Sequence, residues 1–97
     1  MTRKEKLYFL LQGYYNSQYN ESSFCEQFVP IYSDNVYDDE CSKEEHELFE
    51  VICRLAERYS PYEEDRSLSS YFVDEKTFKN IFMKEIERCP SVKNKIS

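Results

Sequence analysis

One histidine, four cysteines and nineteen carboxylates are the side chains of this chain best suited to metal binding or proton transfer. His46 has no serine or cysteine nucleophile tied to it by spacing. Helical periodicity places it opposite the apolar residues Leu48, Ile52 and Leu55, as a solvated surface histidine. Zinc needs three or four nitrogen or sulfur ligands, and Cys41 with His46 supplies two. Cys25, Cys41, Cys53 and Cys89 form no C-x-x-C pair. Cys25, Cys53 and Cys89 fall within apolar-periodic stretches, where reduced, buried thiols are expected rather than a zinc site or a disulfide. The twelve residues 34–45 resemble a calcium loop in length and acidity, with Asp34, Asp38 and Glu45 at ligand positions. Val36 at the third position and Asp39 in place of the turn glycine argue against it. Carboxylate pairs are plentiful, but a glycosidase-like pair needs a sugar cleft, which a 97-residue chain of short helices without tryptophan is poorly placed to build. No glycine-rich phosphate loop is present. The expectation is a protein without catalysis, metal or cofactor.

Charge is the stronger signal. The net charge is −6, and it is unevenly distributed. Arg3, Lys4 and Lys6 against Glu5 give residues 1–6 a charge of +2, and residues 76–97 carry +4. Residues 7–75 therefore carry −12. Such a middle repels nucleic acid and anionic membranes and favours a basic partner. The apolar patch at residues 7–11 is too short for a signal peptide or a membrane span, so a cytoplasmic location is expected.

The elements that must position these charges are helices. One glycine, three prolines and abundant Glu, Lys and Leu favour helix over sheet. Thr2 with Glu5 fits a capping box opening a first helix, followed by Leu7, Leu10, Leu11 and Tyr14 at helical spacing. Gly13 either ends that helix or is carried inside it. A second helix starts near Asn20 or Ser23, carries Phe24, Phe28, Ile31 and Tyr32 on one stripe, and kinks or stops at Pro30. Ser42 and Glu45 form a capping box for the third helix, whose stripe is Leu48, Phe49, Ile52, Leu55, Ala56 and Tyr59. Ser60-Pro61 closes it. Asp74 caps a fourth helix carrying Phe78, Ile81, Phe82, Ile86 and Cys89, and Cys89-Pro90 ends it. The tail from Ser91 is expected to fray, and residues 68–73 have room for a short extended piece. The fold class is all-α: one domain over residues 1–97, a small antiparallel bundle of about four helices.

Two acidic clusters stand out on this frame. Asp34, Asp38, Asp39, Glu40, Glu44, Glu45, Glu47 and Glu50 face a single Lys43. Glu63, Glu64 and Asp65 follow the third helix, with Tyr62 beside them, and Glu57 shares that helix's outward face with Glu47, Glu50 and Arg54. The ordinary reading is a solvated helix start and loop acids, with Glu44 and Glu45 favoured by the helix dipole. The functional reading is an anchor surface for a basic protein, with tyrosine supplying contact area.

Residues 48–86 read LFEVICRLAERYSPYEEDRSLSSYFVDEKTFKNIFMKEI. This segment, about 40% of the chain, resembles the immunity proteins of the colicin D type and of bacterial contact-dependent growth inhibition systems. The resemblance lies in Leu48-Phe49 entering a helix, Ala56-Glu57-Arg58-Tyr59 at its end, and Pro61. It continues with Glu63-Glu64-Asp65-Arg66, and with Tyr71 leading through Asp74 to Phe78. The chain departs from the pattern at Ser60, where an acid can precede the proline, in Tyr62 after the proline, and in one extra loop residue. The resemblance implies a non-catalytic four-helix bundle in the bacterial cytoplasm. It also implies a cognate toxin nuclease, typically one cutting tRNA, whose basic cleft is covered by carboxylates standing in for RNA phosphates. Glu57, Glu63, Glu64 and Asp65 occupy the matching positions. Tyr62 and the acids Asp38, Asp39, Glu40, Glu44 and Glu47 are further candidates for partner contact. The alternative is an acidic nucleic-acid mimic or adaptor acting on a host nucleic-acid-binding protein, with its acids spread over the whole surface. Exposed tyrosines permit dimerisation without requiring it, and a monomer is favoured.

Overall fold

The computed structural model describes residues 2–33 and 41–97. Among these residues the chain forms six helices and no strand: α1 (Arg3–Tyr15), α2 (Glu21–Ser33), α3 (Lys43–Arg58), α4 (Glu63–Leu68), α5 (Glu75–Glu87) and α6 (Pro90–Ile96). The four expected helices are α1, α2, α3 and α5, so the count of about four is corrected to six by the short helices α4 and α6.

The helix starts follow local chemistry. Thr2 and Glu5 close a reciprocal capping box, as do Ser42 and Glu45. Asp74 accepts from the Thr77 N–H at 2.8 Å and opens α5. Of the two rival starts for α2, Asn20 is the cap, because its side chain accepts from the Ser23 N–H at 2.8 Å.

Gly13 lies inside α1, and the Tyr19 ring packs where a Cβ on Gly13 would stand. The chain then turns back, with Ser17 in the left-handed region at φ 63° and the Gln18 N–H donating to the Gly13 carbonyl at 2.7 Å. The absent side chain lets the connection to α2 fold against α1.

Pro30 does not stop α2, which runs on to Ser33. Proline removes one backbone donor there, but the carbonyls beyond it are served from α1. The Arg3 guanidinium donates to the carbonyls of Ile31 and Tyr32, at 3.2 and 2.6 Å, and lies 5.0 Å from the Tyr32 ring centroid.

The largest correction concerns the C-terminal tail. Residues after Pro90 form α6 rather than fraying, and Val92 and Ile96 are buried. Pro90 sits in the first turn of α6, where its fixed φ suits helix initiation and its missing N–H costs nothing. Val92 and Ile96, four apart, present one small apolar face to the bundle. Asn16 donates to the Ile96 carbonyl at 3.3 Å, and Lys93 pairs with Glu87 at 2.7 Å. The extended piece expected at residues 68–73 reduces to one bridge, Tyr59 with Val73.

The core is aromatic at its centre. Tyr14 sits against Phe24, Phe78 and Phe82, with ring centroids 5.0, 5.5 and 4.7 Å away. Phe24 stacks on Phe28 at 5.0 Å. Such pairs each add about 0.5–1.5 kcal/mol beyond the area they bury. Leu7, Leu11, Phe49, Ile52 and Ile86 fill the surrounding space, all fully buried.

Candidate protein-binding surface

The α3 helix carries most of the acids, and its amphipathic register divides them into two kinds. Glu45 lies three and four residues before Leu48 and Phe49, so it falls on the buried stripe and is only 4% exposed. Its carboxylate accepts from the Ser42 N–H and the Tyr8 hydroxyl. Lys4 and Lys95 stand 3.3 and 3.5 Å from it. Lys95 also lies 5.0 Å from the Tyr8 ring centroid. Burial opposes the charge on Glu45, but the Ser42 N–H, the Tyr8 hydroxyl and Lys4 outweigh it and hold its pKa at about 2. The same burial, with the adjacent carboxylate, pushes the Tyr8 phenol far above its ordinary value. One carboxylate thereby joins α1, α3 and α6. It is turned inward and serves as a structural charge.

Glu44, Glu47, Glu50, Arg54 and Glu57 are exposed, as the outward-face reading of α3 requires. Glu50 is paired with Arg54 at 2.6 Å. Among the described residues, Glu44 and Glu47 make no hydrogen bond or ion pair through their side chains. Thirteen residues of helix separate Glu44 from Glu57, about 20 Å along the axis. The candidate acids therefore fall at two ends of α3 instead of forming one patch. Asp38, Asp39 and Glu40 lie outside the described residues.

At the C-terminal end of α3, Glu57 is followed by Tyr62, Glu63 and Glu64, all exposed, with Tyr62 at 67%. They flank and open α4, which buries no residue at all. A six-residue helix without an apolar face has no packing energy of its own, yet this one is fastened at both ends. Ser60, itself buried, donates through its hydroxyl to Asp65 at 2.8 Å, and its carbonyl accepts from Arg66 at 2.8 Å. Arg58 donates to the Tyr71 carbonyl at 2.8 Å and lies over the Tyr71 ring. The Ser60 N–H reaches the Val73 carbonyl at 3.1 Å. Asp65 is thus half-buried and engaged with Ser60. The segment's two arginines, Arg58 and Arg66, are committed to backbone carbonyls. What remains outward is Glu57, Tyr62, Glu63, Glu64, the 84% exposed Leu68 and half-exposed Tyr71. Leu68 and Tyr71 were not identifiable as surface residues from sequence. Their one signal was negative, a run without apolar periodicity.

At the other end of α3, Glu44, Glu47, Leu48 and Val51 form one wall of a groove of about 420 Å³. Glu85, Arg88, Cys89 and Pro90, at the corner between α5 and α6, form the other. Glu85 and Arg88 pair with each other at 3.3 Å.

Cys25, Cys53 and Cys89 are buried, reduced thiols. Burial, reinforced by nearby glutamates, pushes Cys25 up to about 12 and Cys53 up to about 11, so both stay protonated at neutral pH. Among the described residues, no three His, Cys, Asp or Glu side chains converge as metal ligands, and no helix is long and apolar enough to cross a membrane. The described surface offers carboxylates and exposed apolar side chains. No protein family, curated protein or solved structure matches this chain.

Proposed function

We propose that this chain is an immunity protein that binds a toxin nuclease and blocks its basic active-site cleft with the acidic segment running from Glu57 through α4. The observation that carries the reading is the character of α4. It buries nothing, is anchored through Ser60, Asp65, Arg66 and Arg58, and presents Glu63 and Glu64 beside exposed Tyr62. An element that contributes no core yet is held in one conformation suits a partner that it meets pre-organised. Carboxylates on it steer a basic protein, and exposed Tyr62 and Leu68 add apolar contact area. The resemblance of residues 48–86 to colicin D type immunity proteins supports the same reading and narrows the partner to a tRNA-cleaving toxin domain.

The test is co-expression with the C-terminal nuclease domain of a toxin gene lying immediately upstream, the position this reading requires, in cells that the domain kills. Growth rescue and a complex that weakens with salt are expected. Absence of both rescue and complex, with both proteins folded, removes the immunity reading.

The separation of the acids to two ends of α3 favours one second reading, an acidic nucleic-acid mimic or adaptor. In that case the partner is a host nucleic-acid-binding protein. Neutralising either end of α3 alone then weakens binding by similar amounts.

A further inference from the structure

The geometry points to the groove between the start of α3 and the α5–α6 corner as a receptor for an arginine side chain of the protein's partner. This rests on the reading of a basic partner only for the source of the arginine, because the groove lies away from α4. Its surface is of two kinds. Leu48, Val51, Cys89 and Pro90 are apolar, and Val51 is 40% exposed. Glu44, Glu47 and Glu85 are carboxylates, and among the described residues of the lining Arg88 is the one cation, which gives them a net charge of −2. The Arg88 guanidinium is already paired with Glu85, which leaves Glu44 and Glu47 as acceptors without an internal partner among the described residues.

An apolar trough with unpaired carboxylates on its rim matches a long side chain with an aliphatic stem and a cationic head. Glu44 and Glu47 are three residues apart on one helix, so their carboxylates rise side by side. Two adjacent carboxylates suit the planar, multi-donor guanidinium better than the compact ammonium of lysine. Side by side they also repel each other and mildly oppose α3, a tension that an inserted guanidinium relieves. The occupant is therefore an arginine presented by a basic protein surface, with its stem on Val51 and Pro90 and its head between Glu44 and Glu47.

The test is a titration of the full, nitrogen-15-labelled chain with N-acetyl-arginine methylamide, followed by amide chemical shifts. Shifts centred on Glu47, Leu48, Val51 and Arg88 are expected. The Glu44→Gln/Glu47→Gln double variant should weaken binding about fivefold or more, the equivalent of losing one modest charged contact. Arg88→Ala should tighten it, because the resident cation is removed. Melting temperatures of both variants check that the fold is retained. Shifts confined to α4, shifts spread evenly over all exposed acids, or a double variant that binds like the native chain would overturn the assignment. Because the probe contains no toxin, any of these results leaves the immunity reading to its own rescue experiment.

Discussion

The Tyr8 hydroxyl on α1 donates a hydrogen bond to the Glu45 carboxylate on α3, inside a network that also holds Lys4 and Lys95. Loss of the carboxylate removes an acceptor that Tyr8, Lys4 and Lys95 share. Glu45→Ala also removes the half of the α3 capping box in which the carboxylate accepts from the Ser42 N–H, while Ser42 still caps the backbone N–H of residue 45. Leaving partly buried donors unmatched costs about 1–3 kcal/mol, and the lost half of the box up to about 1 kcal/mol. The expected total is about 2–4 kcal/mol, read as a fall in urea midpoint with unchanged m-value. A variant as stable as the native chain would show that Glu45 is dispensable.

The same network sets an acid limit. Glu45 has a folded pKa of about 2 against an ordinary 4.5. A depressed carboxylate contributes stability that is complete above about pH 4.5 and is lost as pH falls towards 2. The stability difference between the native chain and Glu45→Gln should therefore be constant from pH 7 to 5. It should shrink between about 4.5 and 2, by roughly 2 kcal/mol once partial solvent access of the lysines is allowed for. Urea titrations at pH 7, 4 and 2.5 measure it, and a pH-independent difference would contradict it.

α6 gives a sharper contrast. If Val92 and Ile96 are core residues, each truncation to alanine costs about 1–4 kcal/mol, with Ile96 the costlier. In a frayed tail, both would be neutral. Thermal melts decide, with a fall of roughly 4–8 °C per kcal/mol for a chain of this length.

Gly13 predicts a strain effect. Alanine is the better helix former, by about 1 kcal/mol. Here its Cβ would overlap the Tyr19 ring. Gly13→Ala should thus destabilise instead of stabilise, and Gly13→Ala combined with Tyr19→Ala should recover part of the loss. A stabilised single variant would indicate that the ring moves aside freely.

For the acidic face, Glu57→Ala with Glu64→Ala should weaken binding of the proposed toxin partner and increase its dissociation, with the melting temperature little changed because both residues are exposed and Glu57 gives up only a weak bond from the Cys53 thiol. Binding measured against salt by calorimetry supplies the check. Unaltered affinity would move the contact to the start of α3.

Much of the frame was legible because it follows short-range rules. The capping boxes at Thr2 and Ser42, the Asp74 cap and the stripes of α3 and α5 each depend on neighbours within a few residues. α6 was not legible, since Pro90 signals a stop as readily as a start and two apolar residues make a weak stripe. Glu45 was hidden by its own capping box, which accounts for a glutamate there without invoking Tyr8 or Lys95. Its place one turn before Leu48 and Phe49 was the available clue. Among the candidate contacts, Glu57, Glu63 and Glu64 are exposed. The inward turn of Asp65 towards Ser60 depends on a tertiary hydroxyl that spacing does not reveal.

The anchoring of α4 has an evolutionary consequence. Its fixed points are Ser60, Asp65, Arg66 and the backbone around Val73, while the side chains of Tyr62, Glu63, Glu64 and Leu68 make no hydrogen bond or ion pair among the described residues and are exposed. Those four positions can be rewritten without threshold penalties in folding. On the reading proposed above, a lineage whose toxin partner changes its surface can answer there by single substitutions, each tested for recognition alone.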